Sequence, residues 1–165
     1  MAQVILLLGT NLGDKKMVLK SALGRLERIK CAVTQVSPIY ETPAWGFQSG
    51  HAFYNQVVKV ETATAPEELL QQLKRLELEL GRDPLKQSVN GVYQDRLIDI
   101  DILFYNEEIY QSPTLTIPHP RLHLRRFTLV PLYDVCPNLV HPKLQQSTAA
   151  LLQNCTDTTI PVRVN

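Results

Sequence analysis

The sequence predicts an α+β fold: an antiparallel sheet of ferredoxin-like βαββαβ order with helices on its faces and a C-terminal extension. Strand and helix patterns alternate in that order from residue 4 to residue 104. The last strand of the set carries two aspartates, and further helix signals follow it. A chain of 165 residues suffices for one compact domain and is too short for two. We therefore expect a single domain over residues 1–165.

The first half of the chain shows a β-α-β-β pattern. The apolar run Val4–Leu8 is typical of a central strand, and Asp14 stands where a helix N-cap is expected. Val33–Tyr40 predicts a strand that Pro38 makes irregular. Phe53–Glu61 alternates as a longer strand. Together these segments supply three strands and the first helix.

The second half adds one helix, one strand and the extension. Pro66 at the first helical position and Gly81 just past the end bound an amphipathic helix. Asp83–Asp95 is polar and long for a connection, so we expect a lid that closes over bound ligands. Phe127–Cys136 and Ser147–Asn154 predict two short helices, which we expect to cover the sheet face left open.

Asp99 and Asp101 are two carboxylates inside a strand of otherwise apolar sequence. Strand side chains alternate, so the two share one face, about 6.6 to 6.8 Å apart. The other face is expected to hold Ile98, Ile100, Ile102 and Phe104. A half-buried carboxylate without a partner costs several kcal/mol, and a cation between the two would remove that cost. Mg²⁺ takes one or two protein carboxylates and completes its shell with water and phosphates, which indicates a nucleotide.

Simpler alternatives remain for each of these features. The Asp strand could be an edge strand with a solvated polar face, and the basic segment from His119 to Arg126 could be a solvated turn. The basic residues that could contact phosphates are Arg82, Arg96, His119, Arg121, Arg125 and Arg126. The loop Glu41–Gly50 predicts either a binding loop or one that packs its own aromatics. Asn55 could bind a heterocycle edge or a backbone group.

Composition excludes several function classes. The net charge of +1 gives no general electrostatic case for a nucleic-acid partner. The three cysteines are widely spaced, which argues against a disulfide framework and fits a reducing compartment. No apolar stretch approaches transmembrane length. We expect a cytoplasmic protein with no membrane partner, and nothing in the sequence demands more than a monomer.

Several motifs in fixed order resemble the 6-hydroxymethyl-7,8-dihydropterin pyrophosphokinase family nearly end to end. The motifs are Gly9-Thr10-Asn11, Thr42-Pro43-Ala44-Trp45-Gly46, Phe53-Tyr54-Asn55, Glu77 with Gly81-Arg82, Arg96 to Leu103, Pro118-His119-Pro120, Arg125-Arg126-Phe127 and Thr128 to Leu132. This chain departs from well-known members in carrying Tyr93 in place of a Trp, and Pro120 where some members have Tyr.

The resemblance implies a folate-pathway enzyme that transfers pyrophosphate from ATP to the hydroxymethyl group of a reduced pterin and leaves AMP. It implies two Mg²⁺ ions on Asp99 and Asp101, with Arg82 and Arg96 as further catalytic residues. The residues expected to bind the pterin are Thr42, Pro43, Trp45, Phe53, Asn55 and Phe127. Those expected on the nucleotide side are Glu77, Arg82, Arg96, Ile102, His119 and Arg125. Alternatives are another two-metal nucleotidyl or phosphoryl transferase and a small-ligand sensor without catalysis.

Overall fold

The computed structural model describes residues 1–45, 49–81 and 97–165. The elements in chain order are β1 (Ala2–Thr10), α1 (Lys15–Arg28), β2 (Ala32–Val36), β3 (Ile39–Thr42), β4 (Phe53–Thr62), α2 (Pro66–Glu79), β5 (Asp99–Tyr105), β6 (Tyr110–Gln111), β7 (Thr116–Ile117), α3 (Arg126–Val135), α4 (Thr148–Gln153) and β8 (Val162–Val164). A short 3₁₀ turn, Leu122–Leu124, precedes α3.

Within the described residues, six strands form one antiparallel sheet. Its order is β5-β1-β4-β3-β8, and β2 pairs with the other end of β4. The predicted second strand is present as two pieces, β2 and β3, because the chain breaks from the ladder around Pro38. The βαββαβ order and the antiparallel sheet are therefore confirmed. The pair β6 and β7 forms a separate two-stranded ribbon.

Helices α1 and α2 pack on one face of the sheet, against Val4, Leu6 and Leu8 of β1. The Asp14 carboxylate accepts a hydrogen bond of 3.1 Å from the Met17 amide, so the predicted cap is confirmed. Pro66 begins α2 as predicted. Gly81 follows α2 with φ of +102°, a left-handed conformation that favours glycine at this position. Local signals thus set the ends of both helices.

Helices α3 and α4 cover the opposite face, as expected of the C-terminal extension. Leu129 and Leu132 of α3 and Leu151 of α4 are buried against Ile5 and Leu7 of the central strand. The sheet therefore lies between two helical layers, and each has its own apolar core. No helix in the described ranges is both long and apolar enough to cross a lipid bilayer.

The prediction for Phe104 is wrong. Ile98, Ile100 and Ile102 lie on the α1–α2 side as expected, but Phe104 packs with the α3–α4 core. The cause is a shift of register between β1 and β5: Leu6 pairs with Ile102, whereas Ile5 pairs with Phe104. Between these two pairs, β5 advances by two residues while β1 advances by one, which is a β-bulge. The bulge ends the strict alternation three residues after Asp101.

Phe104→Ala should lower the free energy of unfolding by about 3 to 5 kcal/mol, because the ring is only 2 % exposed and its removal leaves a cavity. Denaturant unfolding measures the change. Ile109→Ala is the matched control, since Ile109 is 63 % exposed and its truncation should stay within about 0.5 kcal/mol. A loss below about 1 kcal/mol at Phe104 would contradict its place in the core.

Candidate functional site

A pocket opens on the α3 side of the sheet, where β1, β4 and β5 lie side by side. Its empty volume is about 510 Å³, which includes space open to solvent. The lining residues are Leu7, Gly9, Thr42, Pro43, Trp45, Phe53, Asn55, Asp99, Asp101, Arg125 and Phe127. The structure therefore brings all six residues expected to bind the pterin to the two aspartates.

Strand register builds the floor of this pocket. Gly9 of β1 pairs with Asn55 on one side and with Asp99 on the other. Directly paired residues point to the same face of an antiparallel sheet, so these three form one row across three strands. Leu7, two residues earlier, pairs with Asp101 in the next row. The carboxylates and the amide thus share one surface although they lie more than forty residues apart in sequence.

Gly9 and Leu7 were not among the residues predicted for the site. A Cβ atom at Gly9 would lie 3.2 Å from Asn55 Oδ1 and 4.0 Å from a ring carbon of Phe53. Glycine therefore leaves room for the Asn55 amide and for a ligand above it. A glycine at the end of an apolar strand is the sequence signal that could have indicated such a close approach.

A hydrogen bond to a neighbouring strand holds the Asn55 amide in place. Asn55 is 3 % exposed, and its Nδ2 donates to Thr42 Oγ1 at 3.1 Å. Thr42 is itself buried and pairs with Phe53 at the start of β4. One amide hydrogen is thus committed to Thr42, and the Oδ1 atom near Gly9 remains as the acceptor that this side chain offers.

Two aromatic rings form a wall of the same pocket. The rings of Trp45 and Phe127 meet edge to face, with centroids 6.4 Å apart. The Arg125 guanidinium lies 4.6 Å from the Trp45 centroid and 5.4 Å from that of Phe127, so its charge rests on aromatic faces. Trp45 packs on an aromatic ring and a cation from another segment and also lines the pocket, so its position is compatible with a binding loop. Residues 46–48 of that loop lie outside the described ranges.

Asp99 and Asp101 form the polar end of the pocket. β5 is an edge strand of the described sheet, as the simpler alternative supposed, but its carboxylates face the pocket rather than open solvent. His119 Nε2 lies 3.9 Å from Asp101 Oδ2. The described part of the chain holds no group of three or more metal-binding side chains. Two carboxylates alone fit Mg²⁺, which takes its remaining ligands from water and phosphates.

His119 is neutral at physiological pH. Burial, together with the positive charges of Arg125 and Arg121, lowers the pKa of His119 to about 4, although the Asp99 carboxylate acts in the opposite direction. Its Nδ1 accepts a hydrogen bond of 3.2 Å from the Arg121 amide, so the proton lies on Nε2, towards Asp101. The contact with Asp101 is therefore a neutral N–H facing a carboxylate, and not an ion pair.

The model of the 7,8-dihydro-6-hydroxymethylpterin-pyrophosphokinase (HPPK) family matches residues 5–137. The chain belongs to this family. It is 44% identical over 146 residues to the 2-amino-4-hydroxy-6-hydroxymethyldihydropteridine pyrophosphokinase of Porphyromonas gingivalis, covering 87% of this chain and 96% of that protein. The protein of the same name from Aquifex aeolicus is 39% identical over 142 residues, 86% of this chain and 85% of its own length.

Solved structures show the same fold at lower identity. Wild-type Plasmodium falciparum HPPK-DHPS with pteroate superposes with a TM-score of 0.75 at 17% identity, over 92% of this chain. The match covers 44% of that chain, so this HPPK-family chain spans less than half of the length of that relative. The likeness supports the ferredoxin-like architecture derived above from sheet order.

Two residues predicted for the nucleotide side, Glu77 and Ile102, are not among the residues that line the pocket. Glu77 is buried in α2, and its Oε1 accepts a hydrogen bond of 2.7 Å from the Ile100 amide. The Ile102 side chain is 3 % exposed within the α1–α2 core, so a nucleotide could reach only its backbone. Arg82, Arg96 and the expected lid, Asp83–Asp95 with Tyr93, lie outside the described residues.

In the metal-free protein, an NMR titration of the His119 ring should give a pKa near 4. The unfolded chain takes up this proton near pH 6.5 and the folded protein only near pH 4. The free energy of unfolding should therefore fall as the pH drops between those values, by up to about 1.4 kcal/mol per pH unit, and be unaffected by this group above pH 6.5. His119→Gln should lose this slope; parallel stability profiles for the two proteins would contradict the assignment.

Proposed function

We propose that this chain transfers pyrophosphate from ATP to the hydroxymethyl group of 6-hydroxymethyl-7,8-dihydropterin, giving AMP and the pterin diphosphate, a step of folate biosynthesis. The observation that carries the proposal is one pocket in which an aromatic wall and a buried amide adjoin two carboxylates. A flat heterocycle and a polyphosphate need those two environments side by side. The family and the names of its members point to the same reaction.

The aromatic end accepts the pterin. Phe53 and Phe127 both line the pocket and are the proposed stacking pair, since a flat ring between two aromatic faces gains about 1 to 3 kcal/mol per stacked ring. Asn55 Oδ1 would accept a hydrogen bond from an N–H on the edge of the heterocycle. Because Thr42 holds the amide in one orientation, Asn55 would favour a ring with an N–H at that edge over a ring without one.

The carboxylate end accepts the triphosphate. Asp99 and Asp101 would hold two Mg²⁺ ions, which neutralise phosphate charge and polarise the oxygens that enter and leave. Arg125 also lines the pocket, next to Trp45 and Phe127, and can direct its guanidinium fork to phosphate oxygens. His119, neutral and protonated on Nε2, can donate to a phosphate without adding charge. We assign no general base to the reaction.

The protein then contributes positioning and electrostatics rather than covalent chemistry. Stacking fixes the plane of the pterin, and Asn55 fixes its rotation, so the hydroxymethyl oxygen is directed to the carboxylate end. In-line attack of that oxygen on the β-phosphorus forms the new P–O bond as the bond to the α-phosphate oxygen breaks, with AMP as leaving group and the hydroxyl proton released to solvent. We propose that the chain works as a single domain and as a monomer, since one chain supplies the whole described pocket wall.

Incubation of the protein with γ-labelled ATP, Mg²⁺ and the reduced pterin tests the proposed pyrophosphate transfer. The label should move to the pterin while AMP forms in equal amount. Asp99→Asn and Asp101→Asn should each lower turnover by more than about 100-fold, because each removes a cation-binding charge, yet both variants should stay folded. Stoichiometric ADP with a pterin monophosphate would identify an ordinary kinase and refute the proposal. Nucleotide turnover that does not require the pterin would favour another phosphoryl transferase.

Gly9→Ala should weaken pterin binding about tenfold, the effect of one lost hydrogen bond worth about 1.4 kcal/mol. The new Cβ would lie 3.2 Å from Asn55 Oδ1 and displace that atom, while Thr42 holds the other end of the amide. Pterin titration by calorimetry measures the effect. Gly24→Ala is the control: its Cβ meets nothing within 4 Å, so binding should be unchanged and stability should rise by about 0.5 to 1 kcal/mol. Equal pterin affinity in both variants would contradict the close approach.

A further inference from the structure

A buried carboxylate lies behind the strand that carries the two aspartates. Glu77 is 6 % exposed and belongs to the buried stripe of α2 that also contains Leu69, Leu73 and Leu76. A charged side chain in that position costs several kcal/mol unless polar groups compensate it. A leucine at this position would avoid that free-energy cost, so the carboxylate is expected to have a specific role.

One group that compensates this carboxylate is a backbone amide of β5. Ile100 N donates to Glu77 Oε1 at 2.7 Å, the length of a hydrogen bond to a charged acceptor. In an antiparallel ladder, backbone groups point alternately to the two neighbouring strands. Because the Ile100 amide donates to Glu77, it points away from β1, on the side where β5 ends the described sheet. The Glu77 carboxylate takes the place of a neighbouring strand at this one residue.

Ile100 is the residue between Asp99 and Asp101. Its side chain enters the α1–α2 core, while both carboxylates face the pocket on the other side. A hydrogen bond that holds the Ile100 peptide therefore fixes the backbone on which both carboxylates are mounted. Groups that orient ligands in this way commonly change metal affinity by about 10- to 100-fold when they are removed.

We propose that Glu77 is a positioning residue for the cation pair: its carboxylate holds the Ile100 amide and so sets the spacing and direction of Asp99 and Asp101. The proposal rests on the proposed function in so far as those aspartates bind Mg²⁺. This role needs an acceptor oxygen at position 77. It does not depend on a contact between Glu77 and the substrate. This differs from the role that the family resemblance suggested, which was a contact with the nucleotide.

Two substitutions separate these roles. Glu77→Gln keeps an acceptor oxygen and removes the charge, whereas Glu77→Ala removes both. Hydrogen exchange of the Ile100 amide, measured without ligands, should accelerate at least tenfold in Glu77→Ala and stay within threefold of wild type in Glu77→Gln. Mn²⁺ affinity, measured by electron paramagnetic resonance with a non-hydrolysable ATP analogue, should fall about tenfold in Glu77→Ala and hold in Glu77→Gln.

Glu79→Gln is the matched control, because Glu79 lies on the same helix, is exposed, and pairs with Arg25 at 2.7 Å away from β5. Both readouts should be unchanged in it. If Glu77→Ala does not fold, Glu77→Met fills the volume without offering a comparable acceptor and carries the same expectation. Unchanged Mn²⁺ affinity in a folded Ala or Met variant would reduce Glu77 to a structural residue and overturn the proposal.

Two further results would also overturn it. If Glu77→Gln loses Mn²⁺ affinity as severely as Glu77→Ala, the charge itself acts on the ligands; if Ile100 exchange is the same in all variants, the hydrogen bond does not hold the strand. Failure of the proposed function is distinguishable from these results. It would appear as wild-type protein that binds no Mn²⁺ or makes no pterin diphosphate, whereas the exchange of Ile100 without ligands is independent of both.

Discussion

The pairing of β1 with β4 on one side and β5 on the other is the constraint on which the site depends. It sets Gly9 between Asn55 and Asp99, and Leu7 beside Asp101. Since side chains alternate with a period of two, a shift of one residue in either ladder would turn the amide or the carboxylates towards the α1–α2 core. The apolar sequence of β1, buried on both faces, opposes such a shift because both layers of helices pack against it.

The pocket holds charged groups of both signs, and burying either sign by itself would destabilise the protein. Two carboxylates face it at one end, and a nearly buried guanidinium rests on two rings at the other. The same burial and positive charges lower the pKa of His119, which therefore adds a donor without adding charge. Polyphosphate and cations would satisfy these groups together, so the arrangement is suited to a bound state in which the charges are balanced.

Contacts between protein groups hold the site in shape. Thr42 holds the Asn55 amide from one side. Glu77 holds the backbone between the two aspartates from the other side of β5. The bulge that redirects Phe104 supplies an apolar contact to the α3–α4 core just beyond the carboxylates. The contacts of Thr42 and Glu77 each hold a group of the site in place.

The sequence by itself determined the βαββαβ order, the α+β class and the shared face of Asp99 and Asp101, because caps, turn residues and strand alternation are local properties. Motif order indicated most of the pocket residues through family resemblance. The tertiary structure alone decided the face of Phe104, the close approach of Gly9 to Asn55 and the partner of Glu77. Each of these features depends on register or packing between segments distant in sequence. The free energy that stabilises them comes from the assembled sheet and both helical layers, and not from any one segment.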